Sequence, residues 1–293
     1  MKQNTKAYCY AMTSVMLWST VASAFKITLR YTNVLTMLFY SSLTSTILFF
    51  AVLIATDKSL SIKGLSKKER YRFAFGGILN PFFYYMLLFG AYSRLPAQQA
   101  QPLNFTWPIV LSLLSVPLLG KKIKVSGFAA ICLSFVGVVV ISTKGNFKTL
   151  QFTDMIGVIL ALGSSVIWAL YWLYSVKEKT NELVKLFINF ACGTTFIAIV
   201  WFFSGQANFP GFKGLAGSIY IGCFEMGVTF ILWYRALKCS SNTIYIATLI
   251  YLVPFLSLVV IHFILKEKIH LSTIAGLILI VAGILLQKIY PKE

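Results

Sequence analysis

The chain has 293 residues, 58% of them hydrophobic and 12% charged, with a mean hydropathy of +0.79. Soluble domains carry about 45–50% apolar and about 25% charged residues, so these values exclude an ordinary soluble domain and indicate a polytopic membrane protein. The net charge of +18 comes from 26 Lys and Arg against 8 Asp and Glu, set in short clusters between apolar runs, so the implied partner is a bilayer surface and not nucleic acid.

Apolar runs near the ~20 residues needed to cross a bilayer recur ten times, at about 7–28, 33–55, 71–93, 97–119, 125–142, 153–175, 183–204, 214–236, 242–265 and 271–289. The first contains Ala22-Ser23-Ala24, which has the small-x-small look of a cleavage site, but the run is expected to stay as a helix. With the N-terminus inside, the inner segments hold 18 Lys and Arg and the outer ones 8. By the positive-inside rule both termini are cytoplasmic and the number of spans is even. Cys9, Cys132, Cys192, Cys223 and Cys239 show no metal-ligand spacing and read as small buried hydrophobes, not as a disulfide framework.

The fourth run, Ala97–Leu119, differs from the others. Its second half is apolar, but its first half carries Gln98, Gln99, Gln101, Asn104 and Thr106, and Pro102, Pro108 and Pro117 interrupt it. Unpaired amides facing lipid cost several kcal/mol each, on the order of a lost hydrogen bond or more. At helical spacing Gln98, Gln101, Phe105 and Pro108 share one face, expected to form one wall of a polar cavity.

A repeat follows. Lys122-Ile123-Lys124-Val125-Ser126 returns 146 residues later as Lys268-Ile269-His270-Leu271-Ser272, and the same offset pairs Pro108 with Pro254, Ala129 with Ala275, Leu133 with Leu279 and Gly137 with Gly283. Val15-Met16-Leu17-Trp18 resembles Ser165-Val166-Ile167-Trp168 at an offset of 150. The expectation is an all-α membrane protein of ten transmembrane helices, arranged as two five-helix repeats over 1–145 and 146–293 within one structural domain. Five is odd, so the second repeat is inverted, a plan that secondary transporters use to place substrate near the midplane.

These residues resemble those of the EamA-type carriers of the drug/metabolite transporter (DMT) superfamily. The signs are Trp18 and Trp168 in the first helix of each half, Ala236-Leu237-Lys238 before a polar helix reaching Pro254, Leu265-Lys266-Glu267-Lys268-Ile269, and an Ala/Gly-rich last helix. Asn104-Phe105-Thr106-Trp107-Pro108 after Gln98-Gln99 is similar, more weakly, to the aromatic amino-acid exporter branch. One departure is Lys121, where the first half is expected to carry the acid that Glu267 supplies in the second. The resemblance implies a central cavity walled by the first four helices of each half, with the fifth and tenth outside as a brace.

Glu225 leads the candidate site residues. It lies near the middle of its span, where an acid costs about 2.5–3.5 kcal/mol on insertion scales, and it reads as a counter-ion for a substrate ammonium or as a proton carrier. The plainer alternative is a protonated carboxyl bonded to a neighbouring Ser, Thr or Asn. Asn80 precedes Pro81 and shares a helical face with Tyr84, offering hydrogen bonds to a substrate or to backbone freed by the proline. Trp168, Tyr171, Trp172 and Ser175 form a stripe, with Trp18 at the matching place in the first helix, suited to gripping an apolar or cationic ligand or to packing. Tyr245, Thr248 and Tyr251 or Leu252 precede Pro254 and oppose the Gln98, Gln101 and Asn104 wall by the repeat. Small residues spaced by four, such as Gly157, Ala161 and Ser165, read as helix contacts.

His262, Glu267 and His270 lack zinc-helix spacing and read as a helix cap and loop. No phosphate-binding glycine loop and no nucleophile–base pair can be picked out, so neither an enzyme nor a cofactor or metal is expected.

The sequence thus reads as a secondary transporter of the cytoplasmic (inner) membrane, with the lipid bilayer and a small-molecule substrate as partners and a homodimer left open. The expected cargo is a small polar or amphipathic metabolite, best an amino acid or related amine moved outward. The alternatives are a carrier of a nucleotide-sugar, phosphorylated or lipid-linked metabolite, which would want Lys or Arg inside the cavity, or a membrane enzyme or accessory subunit that does not transport.

Overall fold

The computed structural model describes residues 2–56, 65–119, 125–146, 154–175, 181–240 and 243–289. In chain order its helices are α1 (Lys2–Thr28), α2 (Val34–Ala55), α3 (Lys67–Gly77), α4 (Tyr84–Arg94), α5 (Ala97–Asn104), α6 (Trp107–Leu119) and α7 (Val125–Ser142). Then come α8 (Met155–Ser175), α9 (Glu182–Phe203), α10 (Gly211–Phe224), α11 (Val228–Cys239), α12 (Thr243–Thr248), α13 (Leu252–Leu265) and α14 (Leu271–Ile289). A π-helical turn, Ile78–Phe83, joins α3 to α4, and a 3-10 turn, Leu249–Tyr251, joins α12 to α13.

Polar residues punctuate these helices where the chain leaves apolar surroundings. Asn33 caps α2 through Thr36 N–H at 2.8 Å, and Ser66 and Glu69 form a reciprocal capping box on α3. Asp154 accepts from Gly157 N–H at 2.8 Å and pairs with Arg94 at 3.1 Å, tying α8 to the end of α4. The Gly157 N–H first, and then Arg94, hold the Asp154 carboxyl below its ordinary pKa.

Among the described residues, six segments are long and apolar enough to cross a membrane: Val34–Ala55, Lys67–Arg94, Met155–Ser175, Glu182–Phe203, Gly211–Cys239 and Ile246–Leu265. Leu271–Leu286 and Ile131–Ser142 are shorter apolar stretches. Large apolar side chains such as Phe202, Phe203 and Phe212 stand exposed on the outside, while buried positions include Ser14, Ser41, Ser45, Ser164 and Ser165. An apolar exterior around a partly polar interior inverts the soluble pattern and suits a lipid solvent.

Helix α1 packs on α10, α11 and α13, while α8 packs on α4, α5 and α6. Helix α2 lies between α9 and α10, α9 also covers α3 and the π turn, and α7 pairs with α14. Several crossings are so close that only glycine fits. A Cβ on Gly77 would lie 2.3 Å from the Asn189 carbonyl, and one on Gly193 would lie 2.7 Å from the Gly77 carbonyl and 2.6 Å from Pro81 Cδ. Gly77→Ala is therefore expected to force α3 off α9 and to cost about 1–3 kcal/mol, the usual range for overpacking. Thermal melting in detergent would read that as a lowered midpoint; an unchanged one would contradict the packing described.

The fourth run departs from its sequence reading. It breaks at Phe105–Thr106, between Pro102 and Pro108, but α6 runs through Pro117 unbroken. Pro108 sits in the first turn of α6, where its missing N–H costs little. Of the five cysteines, all unpaired, Cys9 and Cys132 lie on the exposed surface and not inside.

Candidate functional site

Two interruptions bring the main polar residues together. The first is the π turn, where Asn80 has extended backbone angles (φ −141°, ψ 116°) ahead of Pro81. The second separates α10 from α11 at 225–227, where a Cβ on Gly227 would come within 2.8 Å of the Gly222 carbonyl. Breaks at membrane depth are tolerated when freed backbone groups find partners. At the second break Thr229 Oγ1 donates to the Phe224 carbonyl, and Trp18 Nε1 donates to the Glu225 carbonyl at 3.4 Å.

The Glu225 carboxylate accepts from the Tyr85 hydroxyl at 3.2 Å through Oε1, and its Oε2 is buried with no hydrogen-bond partner. Asn80 is wholly buried beside the Tyr171 hydroxyl, yet neither Nδ2 nor Oδ1 makes a hydrogen bond of good geometry. Aromatic rings connect the two breaks. Trp168 stacks on Tyr84 at 4.6 Å and on Tyr171 at 5.6 Å, and Phe230 lies 5.9 Å from both Trp168 and Trp18.

The remaining residues singled out in the sequence divide. Asn104 belongs to the cluster: it accepts from Tyr84 at 3.4 Å and donates to Ser164 at 2.9 Å. Gln101 accepts a short hydrogen bond from Tyr92. Gln98 does not face this cluster. Its amide donates to the Lys268 carbonyl at 2.9 Å and accepts from His270 N–H at 3.0 Å and Thr273 Oγ1 at 3.2 Å. Phe105 packs with Ala7, Ala11, Val15 and Trp233. The single wall expected from Gln98, Gln101, Phe105 and Pro108 is thus split: within α5 Gln98 is taken by residues 268–273 and Gln101 by Tyr92, and at the helix break Phe105 joins a separate apolar cluster. Nor do Asn80 and Tyr84 share a helical face, since the backbone between them is not α-helical. Thr248 is half-buried at the end of α12; the side chain of Tyr245, like Lys121, lies outside the described residues.

Sequence reasoning missed Tyr85, Tyr92 and Asn189. Asn189 lies 3.1 Å from the Tyr171 hydroxyl; with its Oδ1 accepting that hydroxyl, its nitrogen donates to the Phe73 carbonyl at 2.9 Å and to the Lys185 carbonyl at 3.2 Å. A lone amide inside the apolar run Leu186–Gly193 was a readable signal of a buried role.

A second cluster lies where residues 262–273 meet the start of α5. Glu267 accepts from Ala97 N–H at 3.0 Å and Gln98 N–H at 3.2 Å, so an acid caps the N-terminus of α5. Lys26 Nζ donates to the Tyr92 and Leu95 carbonyls at 2.9 and 3.0 Å, where a cation suits the end of α4. His262, Glu267 and His270 serve here as structural bonds, with His262 Nδ1 3.1 Å from the Glu267 carbonyl.

The EamA-like transporter family matches residues 5–143 and again 155–287. The chain belongs to the EamA-like transporter family. It is similar to the uncharacterized transporter YvbV of Bacillus subtilis, 28% identical over 213 residues that cover 71% of this chain and 68% of that protein. An uncharacterized transporter of Archaeoglobus fulgidus is 26% identical over 280 residues, covering 92% of this chain and 94% of its own length. A second from that organism is 30% identical over 162 residues, or 54% of this chain and 56% of that one. A solved crystal structure superposes with a TM-score of 0.67 at 19% identity, covering 98% of this chain and 97% of that one, a likeness of fold. This member of the family, and so of the DMT superfamily, is a multi-pass membrane transporter whose described residues form helices and no strands.

Proposed function

We propose that the chain is a secondary transporter of two inverted five-helix halves, 1–145 and 146–293, with ten transmembrane helices and both termini cytoplasmic. It moves a small polar or amphipathic metabolite, an amino acid or related amine, outward across the cytoplasmic membrane by alternating access. One observation carries this reading: Asn80 and Glu225, 145 residues apart, occupy the two helix breaks, and both are buried with polar atoms unpartnered. Discontinuous helices at a repeat interface are where such carriers build midplane sites.

Several contacts support the repeat. The family matches in two consecutive segments, 5–143 and 155–287. Ser134 Oγ reaches the carbonyl of Ile280, its own equivalent 146 residues on, at 3.3 Å. The hydroxyls of Thr46 and Thr194, 148 apart, meet at 2.9 Å across α2 and α9, which are both 22 residues long. Contacts between mates are expected along a pseudo-twofold axis. Away from it, Ser45 donates to the Gly222 carbonyl at 2.7 Å, and its counterpart Gly193 presses on the Gly77 carbonyl.

Alternating access needs one end shut while the other admits substrate. The bonds from the 267–273 segment to the start of α5 link the halves and supply that closure, at the outer end in this orientation. Both side-chain and backbone bonds of Glu225 also cross between halves, to Tyr85 and Trp18, so occupancy of the site and movement of the halves share atoms.

Solute counterflow in proteoliposomes tests the function. Vesicles holding the purified protein and preloaded with unlabelled amine or amino acid should transiently concentrate the labelled form above equilibrium. No accumulation for any amine or amino acid tried, in vesicles shown to contain folded protein, would overturn the reading.

A further inference from the structure

The buried cluster is polarised. Its two interruptions occupy corresponding places in the chain, yet one presents a neutral amide, Asn80, and the other an acid, Glu225. The polar atoms left over are Asn80 Nδ2 and Oδ1 at one end and Glu225 Oε2 at the other, on residues 0% and 7% exposed. Between them the faces of Trp168, Tyr84 and Tyr171 form a stacked wall.

Among the described residues no basic side chain is paired with Glu225. Lys26 is occupied by the Tyr92 and Leu95 carbonyls, and Lys185 by Glu182 at 2.8 Å. A carboxylate on a ligand would therefore find no cation here and would meet Glu225 as a like charge in a low-dielectric interior. An ammonium meets the opposite situation. It supplies N–H donors to an unpartnered carboxylate oxygen, and its charge is further held by ring faces. Asn80 can both donate and accept, so it suits a neutral hydroxyl or amide at the far end of the same ligand.

We infer that the site between the two breaks takes a monocationic amine lacking a carboxylate, with its ammonium on Glu225 Oε2, its apolar body against Trp168 and Tyr84, and a neutral polar group on Asn80. This rests on the reading of the cluster as the substrate site and narrows its cargo from amino acids and amines to amines alone. Asn80 is then the residue that selects what the amine carries at its other end.

A matched series tests it: tyramine, phenethylamine, tyrosine and 3-(4-hydroxyphenyl)propionate, each added to the detergent-purified full chain while melting is followed, since a ligand of the folded state raises the midpoint. Tyramine should raise it most, phenethylamine less, tyrosine little and the propionate not at all. Glu225→Gln, nearly isosteric, should weaken the apparent tyramine affinity at least about tenfold while melting as a folded protein, and Asn80→Ser should remove the preference for tyramine over phenethylamine. A shift by tyrosine or the propionate equal to that by tyramine, an undiminished tyramine shift in Glu225→Gln, or no shift by any of the four would overturn the inference. Zwitterion counterflow independent of Glu225 would do so too while leaving transport intact; amine binding without counterflow would instead sink the transport reading and keep the site.

Discussion

Glu225→Gln is expected to reduce amine counterflow about 10–100-fold without unfolding the protein. The carboxylate is buried, one oxygen held by Tyr85 and the other unpartnered. Glutamine keeps an oxygen to accept the Tyr85 hydroxyl but cannot pair with an ammonium. Hydrogen bonds to charged groups contribute about 1.5–3 kcal/mol net, and each 1.4 kcal/mol is a factor of about ten. Replacing a buried acid of which one oxygen has no partner in the unloaded protein should leave the melting point unchanged or slightly raised. Initial rates in proteoliposomes at matched protein density check the first part, and melting in detergent the second. Undiminished counterflow would remove Glu225 from the mechanism; a collapsed melting point would make it a structural residue.

On the proposed mechanism, Glu267→Ala should release the end of the molecule that its bonds to α5 hold shut. The Glu267 carboxylate takes the N–H groups of Ala97 and Gln98 at the start of α5, and no other protein partner of those two N–H groups is seen among the described residues. Losing two charge-assisted bonds is worth about 3 kcal/mol at the low end of their range, enough to shift a two-state equilibrium by about 100-fold. Spin labels at the exposed positions Ser93 and Lys268, which fall in different halves of the proposed repeat, would report it as a new, longer distance. The unsubstituted protein should give a single short distance. An unchanged distribution in the variant would show that the bonds pin a loop and do not gate a path.

Much of the fold could be read from the sequence because the bilayer imposes it. Runs of suitable length and apolarity fall on helices throughout, and Pro81, with Pro102 and Pro108, marks regions where the backbone is interrupted. The lone acid Glu225 and the amides Asn80 and Asn104 could be singled out because a polar group at such depth is costly. The facing of individual side chains could not. Helical spacing assigned Asn80 and Tyr84 to one face, but the π turn changes the register, so that Tyr85 and not its neighbour reaches Glu225. Gln98 reads as cavity lining in the sequence because its partners are 170 to 175 residues away, in a segment that sequence periodicity cannot bring to it. Gly227 gave no warning of the second break, since a single glycine in an apolar run is ordinary in membrane helices.

On the proposed mechanism, polar groups from both halves share one chamber that opens to water from each side in turn. Ser164, buried and bonded to Asn104 at the edge of the cluster, is a conservative place to test it. Ser164→Cys, in a chain whose five native cysteines have been replaced, would be exposed in sealed vesicles to a membrane-impermeant thiol reagent from either face. Labelling from one face that moves to the other, or is suppressed, when an amine gradient is imposed is the predicted result. A thiol that reacts from neither face under any gradient would mean that these side chains only join helices together.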